Sequence, residues 1–352
     1  LVGAAFEPGS VTAPDVRADL SEAETRKLYI DAYLEEAGWK VSTVKGELVP
    51  GGASIEYKVT GMPPNGQDGY CDYVLFGLDG KPLAVVEAKK TSESEEKGRT
   101  QVKLYGERLE AKFGVKPVLY YTNGYRIQCL DRVYSEPRRM VAFHTLRELE
   151  RLRALQARGP IGDLKPNPDI AGRPYQMTAI TSLCEHFDGK HRKGLLVLAT
   201  GTGKTRVSIA LVDVLTRHDW VQNILFLADR RELVKQAHNE FEKHLPNMTY
   251  SVLSDEKLKG SEDARIMFST HQTMIRYVDA KNKKFTPGRF DLIIIDEAHR
   301  SIFNKYGAIF RYFDSLLVGL TATPKEDVDA NTYKLFDREQ GDPNFAYSIE
   351  EA

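Results

Sequence analysis

Cysteine is scarce. Cys71, Cys129 and Cys184 are the three in the chain; they stand far apart, are odd in number and show no C-x-x-C spacing. Neither a disulfide framework nor a zinc site is therefore expected. Long hydrophobic runs are missing too. No stretch approaches the roughly 18 apolar residues of a membrane span, and the opening residues carry no basic n-region, so no membrane partner is expected and the reading is cytoplasmic. An excess of charge of either sign is also absent, with 49 basic against 50 acidic side chains and a net charge of −1. Bulk electrostatics thus exclude nothing and announce nothing about nucleic acid, and any DNA contact has to come from local patches.

What is present is the balance of a soluble globular protein, 41% hydrophobic and 28% charged over 352 residues. That length exceeds what one hydrophobic core usually organises, so two domains are expected. The first helix is announced by the capping-box pattern Ser21-Glu22-Ala23-Glu24, followed by Leu28, Tyr29, Tyr33 and Leu34 at helical spacing. Short β-like runs follow at Ile55–Val59, Tyr73–Phe76, Leu83–Glu87, Val118–Tyr121 and Arg126–Leu130, with a turn at Leu78-Asp79-Gly80-Lys81 and a helix over Gly98–Phe113. Residues 135–172, rich in Pro and Gly with one charged Leu-rich helix near Leu146–Leu155, read as a linker. This bounds a first domain at 1–134 and a second at 173–352. In the second, apolar strands at Leu195–Ala199, Ile224–Ala228, Arg265–Ser269, Leu292–Ile295 and Leu317–Leu320 alternate with helices. That alternation implies a parallel sheet covered on both faces, and the fold class is α/β throughout.

The sharpest signal is Ala199-Thr200-Gly201-Thr202-Gly203-Lys204-Thr205, directly after an apolar strand and before the helix Val207–Leu215. In that context glycines turn backbone N–H groups toward a phosphate at a helix N-terminus. Lys204 reaches the β and γ phosphates of ATP, and the Thr205 hydroxyl ligates Mg²⁺. The general phosphate-loop pattern wants Gly where Leu198 stands. The partner motif is Asp296-Glu297-Ala298-His299 at the end of an apolar strand. It suits Asp296 to hold Mg²⁺ and Glu297 to orient or deprotonate the attacking water.

In the first domain Asp72 is followed fifteen positions on by Glu87-Ala88-Lys89. Strand alternation puts Glu87 and Lys89 on one face. Two carboxylates and a lysine suit a hard-oxygen Mg²⁺ site with the ammonium positioned to activate water or stabilise a pentavalent phosphate. Gln101 and Tyr105, at i and i+4, share a helix face that can turn to the same place. Glu24 has two readings, the return partner of the Ser21 cap and, by resemblance to RecB-like nucleases, the helix glutamate of their site.

These motifs carry a resemblance. The Ala-Thr-Gly-Thr-Gly-Lys-Thr loop resembles the superfamily 2 helicase variant, Arg173-Pro174-Tyr175-Gln176 resembles its adenine-reading motif with Gln176 as the base contact, and Thr321-Ala322-Thr323-Pro324 resembles motif III, which couples nucleotide state to DNA. The segments around Arg230 and around Thr270 and Gln272 resemble the motifs that touch the phosphate backbone of DNA. Asp72, Glu87-x-Lys89 and Gln101-x-x-x-Tyr105 resemble the RecB-like branch of PD-(D/E)xK nucleases, with Cys71 where the proline would be. A nuclease of that kind before one RecA-like motor resembles the restriction (R, motor) subunit of type I restriction-modification enzymes. The resemblance implies ATP-dependent translocation of duplex DNA in a complex with modification and specificity subunits, followed by Mg²⁺-dependent cleavage. It also implies a second motor domain bearing an arginine finger; because the sequence ends soon after Pro324, slow ATP turnover is expected of this chain alone. Two other readings remain open: a repair or remodelling motor whose nuclease-like domain only binds DNA, and a nucleotide-operated switch.

Overall fold

The structure, a computed structural model, describes residues 20–131, 133–134, 136–254, 258–260, 262–279, 284–298, 300–323, 325 and 327–348, with only the backbone described for 258–260 and 300–304. His299 and Pro324, named above in two motor motifs, lie outside the described residues. The chain divides into two compact units. One runs to Ala157 and takes in Thr286–Gly288; the other comprises Arg158–Phe285 and the residues from Arg289 onward.

The first unit is built on a seven-stranded sheet in sequential order. Its strands are β1 (Lys40–Lys45), β2 (Gly52–Met62), β3 (Gln67–Phe76), β4 (Pro82–Ala88), β5 (Val118–Thr122), β6 (Ile127–Leu130) and β7 (Arg138–Met140). The β2–β3 and β3–β4 pairs are antiparallel, whereas β4 and β5 are parallel, joined by the crossover helix α3 (Arg99–Phe113). β4 is buried along its whole length, as an apolar strand covered on both faces must be. Ala84, Val86 and Ala88 join a core with Tyr29, Ile30, Tyr33 and Leu34 of the first helical segment, which runs through α1 (Glu22–Thr25), a π-helical turn (Arg26–Ile30) and α2 (Asp31–Glu36). On the other face Val85 packs with Val102, Tyr105 and Leu109 of α3. The expected linker is not one throughout. β7 extends the sheet, and α4 (Leu146–Leu155) lays Leu149 beside Met140 and Phe143 in the first core, so the unit continues to Ala157. The physical reason is the apolar stripe of Leu146, Leu149 and Leu152 on this charged helix, which packs on the first core.

The second unit holds an eight-stranded sheet in the order β11-β10-β12-β9-β13-β14-β8-β15, parallel at every pairing except β10 with β11. Its strands are β8 (Lys193–Leu198), β9 (Ile224–Ala228), β10 (Tyr250–Leu253), β11 (Leu258–Gly260), β12 (Ile266–Thr270), β13 (Leu292–Asp296), β14 (Leu316–Thr321) and β15 (Phe345–Tyr347). The helices are α5 (Pro174–Asp188), α6 (Lys204–Arg217), α7 (Arg231–His244), α8 (His271–Asp279), α9 (Arg300–Tyr312) and α10 (Ala330–Leu335). β14 lies between β8 and β13, which separates the carboxyl ends of those two strands by roughly 10 Å at the usual inter-strand spacing. Among the described residues no helix is long and apolar enough to cross a membrane.

Candidate nuclease and nucleotide-binding sites

In the first unit the predicted residues converge. Asp72 lies within β3, not ahead of it, and its Oδ2 accepts from the backbone N–H of Ala88 at 2.8 Å. This bond fixes Asp72 beside the end of β4. There the Lys89 ammonium donates to Glu87 Oε1 at 2.8 Å and to Gln101 Oε1 at 3.3 Å, and Gln101 Nε2 donates to the Tyr105 hydroxyl at 3.2 Å. Glu87, Lys89, Gln101 and Tyr105 therefore form one chain of hydrogen bonds from β4 to α3. Gly69 lets the Tyr105 ring come this close, since a Cβ there would lie 2.8 Å from Tyr105 Cε1.

Glu87 is 2% exposed, and its Oε2 has no hydrogen-bond partner. Burial first, and then the charge of Asp72, push its carboxyl up to about 8, against the opposing pull of Lys89. Burial works against the Lys89 ammonium, but the carboxylates of Glu87, Glu22 and Asp72 outweigh it and raise its pKa. An orphaned carboxylate oxygen beside a second carboxylate is a donor set that a hard divalent cation fits. Asp72 and Glu87 are the residues that would hold it. Among the described residues no group of three or more His, Cys, Asp and Glu is gathered as a preformed metal cage. Instead, each of the two carboxylates is already engaged by a cationic side chain.

Metal-free Glu87 keeps its proton to higher pH in the folded chain than in the unfolded one. Folding stability is therefore expected to fall as pH rises from near 4.5 to about 8 in the presence of chelator. Thermal melts across that window check this, and Glu87→Gln should flatten the slope; an unchanged slope in that variant would show that another group is responsible.

Three neighbours escaped the sequence reading. Arg26 Nη1 donates to Asp72 Oδ1 at 2.6 Å, and its Nη2 donates to Glu56 Oε1 at 3.0 Å. Glu22, not Glu24, is the helix glutamate at the site: its Oε2 lies 3.9 Å from the Lys89 ammonium, and its pKa is raised, by burial above all, with Asp72 adding to the effect against Lys89. Glu24 completes the capping box, accepting from Ser21 N at 2.9 Å and from Ser21 Oγ at 2.6 Å. Glu22 and Arg26 sit at i and i+4 and so share a helix face, a signal the pattern at Ser21 concealed. Glu24→Ala is expected to lower stability through the lost capping box and to leave Mn²⁺ binding alone. Glu22→Ala is expected to do the reverse, and calorimetry with denaturation separates the two.

In the second unit the phosphate loop joins β8 to α6. Gly201 and Gly203 have φ of +83° and +86°, a region that favours glycine. A Cβ on Gly203 would also meet Gln176 Nε2 at 2.7 Å. Thr202 is buried; its Oγ1 donates to Ala199 O at 2.6 Å, while its own carbonyl accepts from Gln176 Nε2 at 2.9 Å and from the Tyr175 hydroxyl at 2.7 Å. Gln176 is itself buried and braces the loop from the start of α5. Thr200 is exposed, and Lys204 and Thr205 open α6.

Lys204 Nζ lies 3.0 Å from Glu297 Oε1 across the β14 gap, which joins the two motor motifs at the carboxyl edge of the sheet. Glu297 holds a φ of +56°, a left-handed conformation that costs a non-glycine residue ~1–2 kcal/mol. The Ala298 N–H bond to Leu320 O, 2.8 Å, helps fix it. Asp296 has its pKa raised, first by burial and then by Glu297, against the pull of Lys204. Of the expected DNA-facing residues, Arg230 and Gln272 are exposed. Thr270 is not: it is buried at the end of β12, with Oγ1 accepting from Thr273 N at 3.1 Å and donating to Thr273 Oγ1 at 3.0 Å, so its hydroxyl caps α8 and is already engaged.

An α/β unit with an Asp, Glu and Lys cluster, followed by a parallel-sheet unit with a phosphate loop facing an Asp-Glu pair, defines the class: a nuclease-type domain joined to a superfamily 2 motor domain. Residues 21–148 match the family model for the type I restriction enzyme R protein N terminus, and residues 169–326 match the model for the type III restriction enzyme res subunit. The chain is 31% identical over 299 residues to the type I restriction enzyme EcoAI endonuclease subunit of Escherichia coli, covering 80% of this chain and 36% of that protein. It is 28% identical over 416 residues to the EcoKI endonuclease subunit of Escherichia coli strain K12, covering 95% and 34%. A solved HsdR-subunit fragment of a type I restriction enzyme from Vibrio vulnificus YJ016 is 26% identical, with 94% of this chain and 60% of that one covered at a TM-score of 0.41. The chain is an HsdR-like subunit of the type I restriction enzyme family. It spans about a third of the length of the two E. coli relatives.

Proposed function

We propose that this chain is the nuclease and first-motor portion of a type I restriction endonuclease subunit, which uses ATP to translocate duplex DNA and cleaves it away from the recognition sequence. The observation that carries the nuclease half is the buried, unpartnered Oε2 of Glu87 beside Asp72 and Lys89. A bound Mg²⁺ would supply Lewis-acid activation of the scissile phosphate and of water. Asp72 and Glu87 would hold it, Lys89 would present positive charge to the attacked phosphate, and Gln101, backed by Tyr105, would keep the ammonium aimed. In the motor half, Lys204 would exchange Glu297 for the β and γ phosphates of ATP, which frees Glu297 to orient water. Thr205 and Asp296 would hold the nucleotide's Mg²⁺. Gln176 would read adenine with the amide hydrogen that its bond to Thr202 leaves over. Tracking through backbone phosphates makes translocation salt-sensitive and sequence-blind. Modification and specificity subunits are the partners this reading requires, and the cytoplasm is the compartment.

The test is metal-dependent nicking by the reconstituted complex carrying either the intact or the Asp72→Ala subunit. Nicking by the intact complex alone supports the assignment; equal nicking by both overturns it.

A further inference from the structure

Arg26 and Glu56 have no place in the expected site, yet both are built into it. Ile55 pairs with Tyr73 and Tyr57 with Cys71, which sets Glu56 directly across the β2–β3 ladder from Asp72. Like charges facing each other on adjacent strands repel. Arg26 lies between them and bonds both, and its side chain is 23% exposed against 9% for Asp72. Glu56 is also one of the few non-glycine residues at positive φ, +45° in mid-strand, a conformation that persists only where its surroundings impose it and that clusters at functional sites. Its Oε1 accepts from Arg26 at 3.0 Å and from Lys45 at 2.9 Å. Arg26 opens the π-helical turn, a departure from α-helix that also recurs at functional sites.

Two arrangements are thus available to one guanidinium. In the first it shares Asp72 and Glu56, the arrangement observed. In the second it withdraws from Asp72 and remains on Glu56. A divalent cation at Asp72 and Glu87 favours the second, because its charge repels a guanidinium held 2.6 Å from Asp72 Oδ1.

We propose that Arg26 is a stand-in cation for the nuclease metal and that Glu56 is the residue that receives it when metal enters, so the pair sets the metal affinity of the site. This rests on the nuclease reading above, and both residues act as positioning residues through Asp72.

The experiment is a calorimetric titration of the full chain, free of nucleotide, with Mn²⁺ alone; the heat that Glu87→Ala removes defines the nuclease site. Arg26→Gln is expected to tighten that component roughly tenfold, the scale of one lost charge-assisted hydrogen bond, and to lower the melting temperature of the metal-free chain while widening its rise on Mn²⁺ saturation. Glu56→Gln is expected to weaken Mn²⁺ binding, and in the Arg26→Gln background that weakening should largely vanish. An Arg26 that merely holds Asp72 in place gives the opposite sign, weaker binding in Arg26→Gln, and overturns the proposal. An equal effect of Glu56→Gln in both backgrounds shows bulk charge at work and overturns it too. If Glu87→Ala removes no heat at all, the nuclease reading fails and the proposal with it. If that heat is present and Arg26→Gln leaves it unchanged, the proposal alone fails.

Discussion

Glu87→Ala in the complete, reconstituted subunit is expected to lower DNA cleavage by at least ~10²-fold while ATP turnover stays within about twofold of the parent. The first number follows from what Glu87 contributes. It supplies a buried carboxylate oxygen with no hydrogen-bond partner, it anchors the Lys89 ammonium at 2.8 Å, and it sits only 2% exposed. Removing it takes away a proposed metal ligand together with the shorter of the two bonds that hold the lysine, so the loss is expected to exceed that of either alone. The second number follows from the division of the chain: the phosphate loop and the Asp296-Glu297 pair belong to a separate compact unit with its own sheet. Cleavage and ATPase assays on one preparation decide it. Cleavage retained in the variant sinks the nuclease assignment, and an ATPase that falls in parallel sinks the independence of the two units. Retained ATPase with lost cleavage also disfavours a repair motor whose nuclease-like domain serves for binding alone.

Lys204→Ala is expected to reduce ATP turnover by ~10²–10³-fold, the usual cost of one preorganised charge on a transferring phosphoryl group, and to stop translocation and cleavage with it. The lysine has a second task in this structure. It neutralises Glu297 at 3.0 Å beside Asp296, whose carboxyl is already pushed up by burial and by Glu297. Without Lys204 the two adjacent carboxylates lose this cationic neighbour, and Asp296 is expected to take up a proton more readily. Stopped-flow nucleotide binding and steady-state ATPase together check the loss. Normal turnover would rule out the assignment of the phosphate loop, and cleavage that continues without ATP hydrolysis would detach the nuclease from the motor.

How much of this was legible in the sequence depended on whether a contact is local. Strands β2 to β6, β8, β9 and β12 to β14 could be read because each holds a short apolar run between turn residues, and the phosphate loop because its glycines, Lys204 and Thr205 are consecutive. Glu87, Lys89, Gln101 and Tyr105 were legible for the same reason: strand and helix periodicities fix which side chains share a face. What failed was long-range. Nothing in the spacing says that Arg26 reaches Asp72, 46 residues away, or that Glu56 faces it across the ladder. Glu24 drew attention from Glu22 because a capping box and a site glutamate are written with the same letters. Thr270 looked like a free hydroxyl because Thr at a strand end serves equally as a helix cap. Strands β1, β7, β10, β11 and β15 were missed because short strands with mixed polarity show little alternation.

The way β7 and α4 fold back has a practical side. Trp39 Nε1 donates to His144 O at 2.8 Å, His144 Nδ1 lies 2.5 Å from the Tyr120 hydroxyl, and Phe143 meets the Tyr120 ring edge-on with centroids 5.1 Å apart. Severing the polypeptide after residue 134 would strip an indole and a phenol of their partners and hollow out the interior beneath the sheet. A scissile point for proteases, or a seam at which evolution could trade one module for another, therefore belongs beyond Ala157.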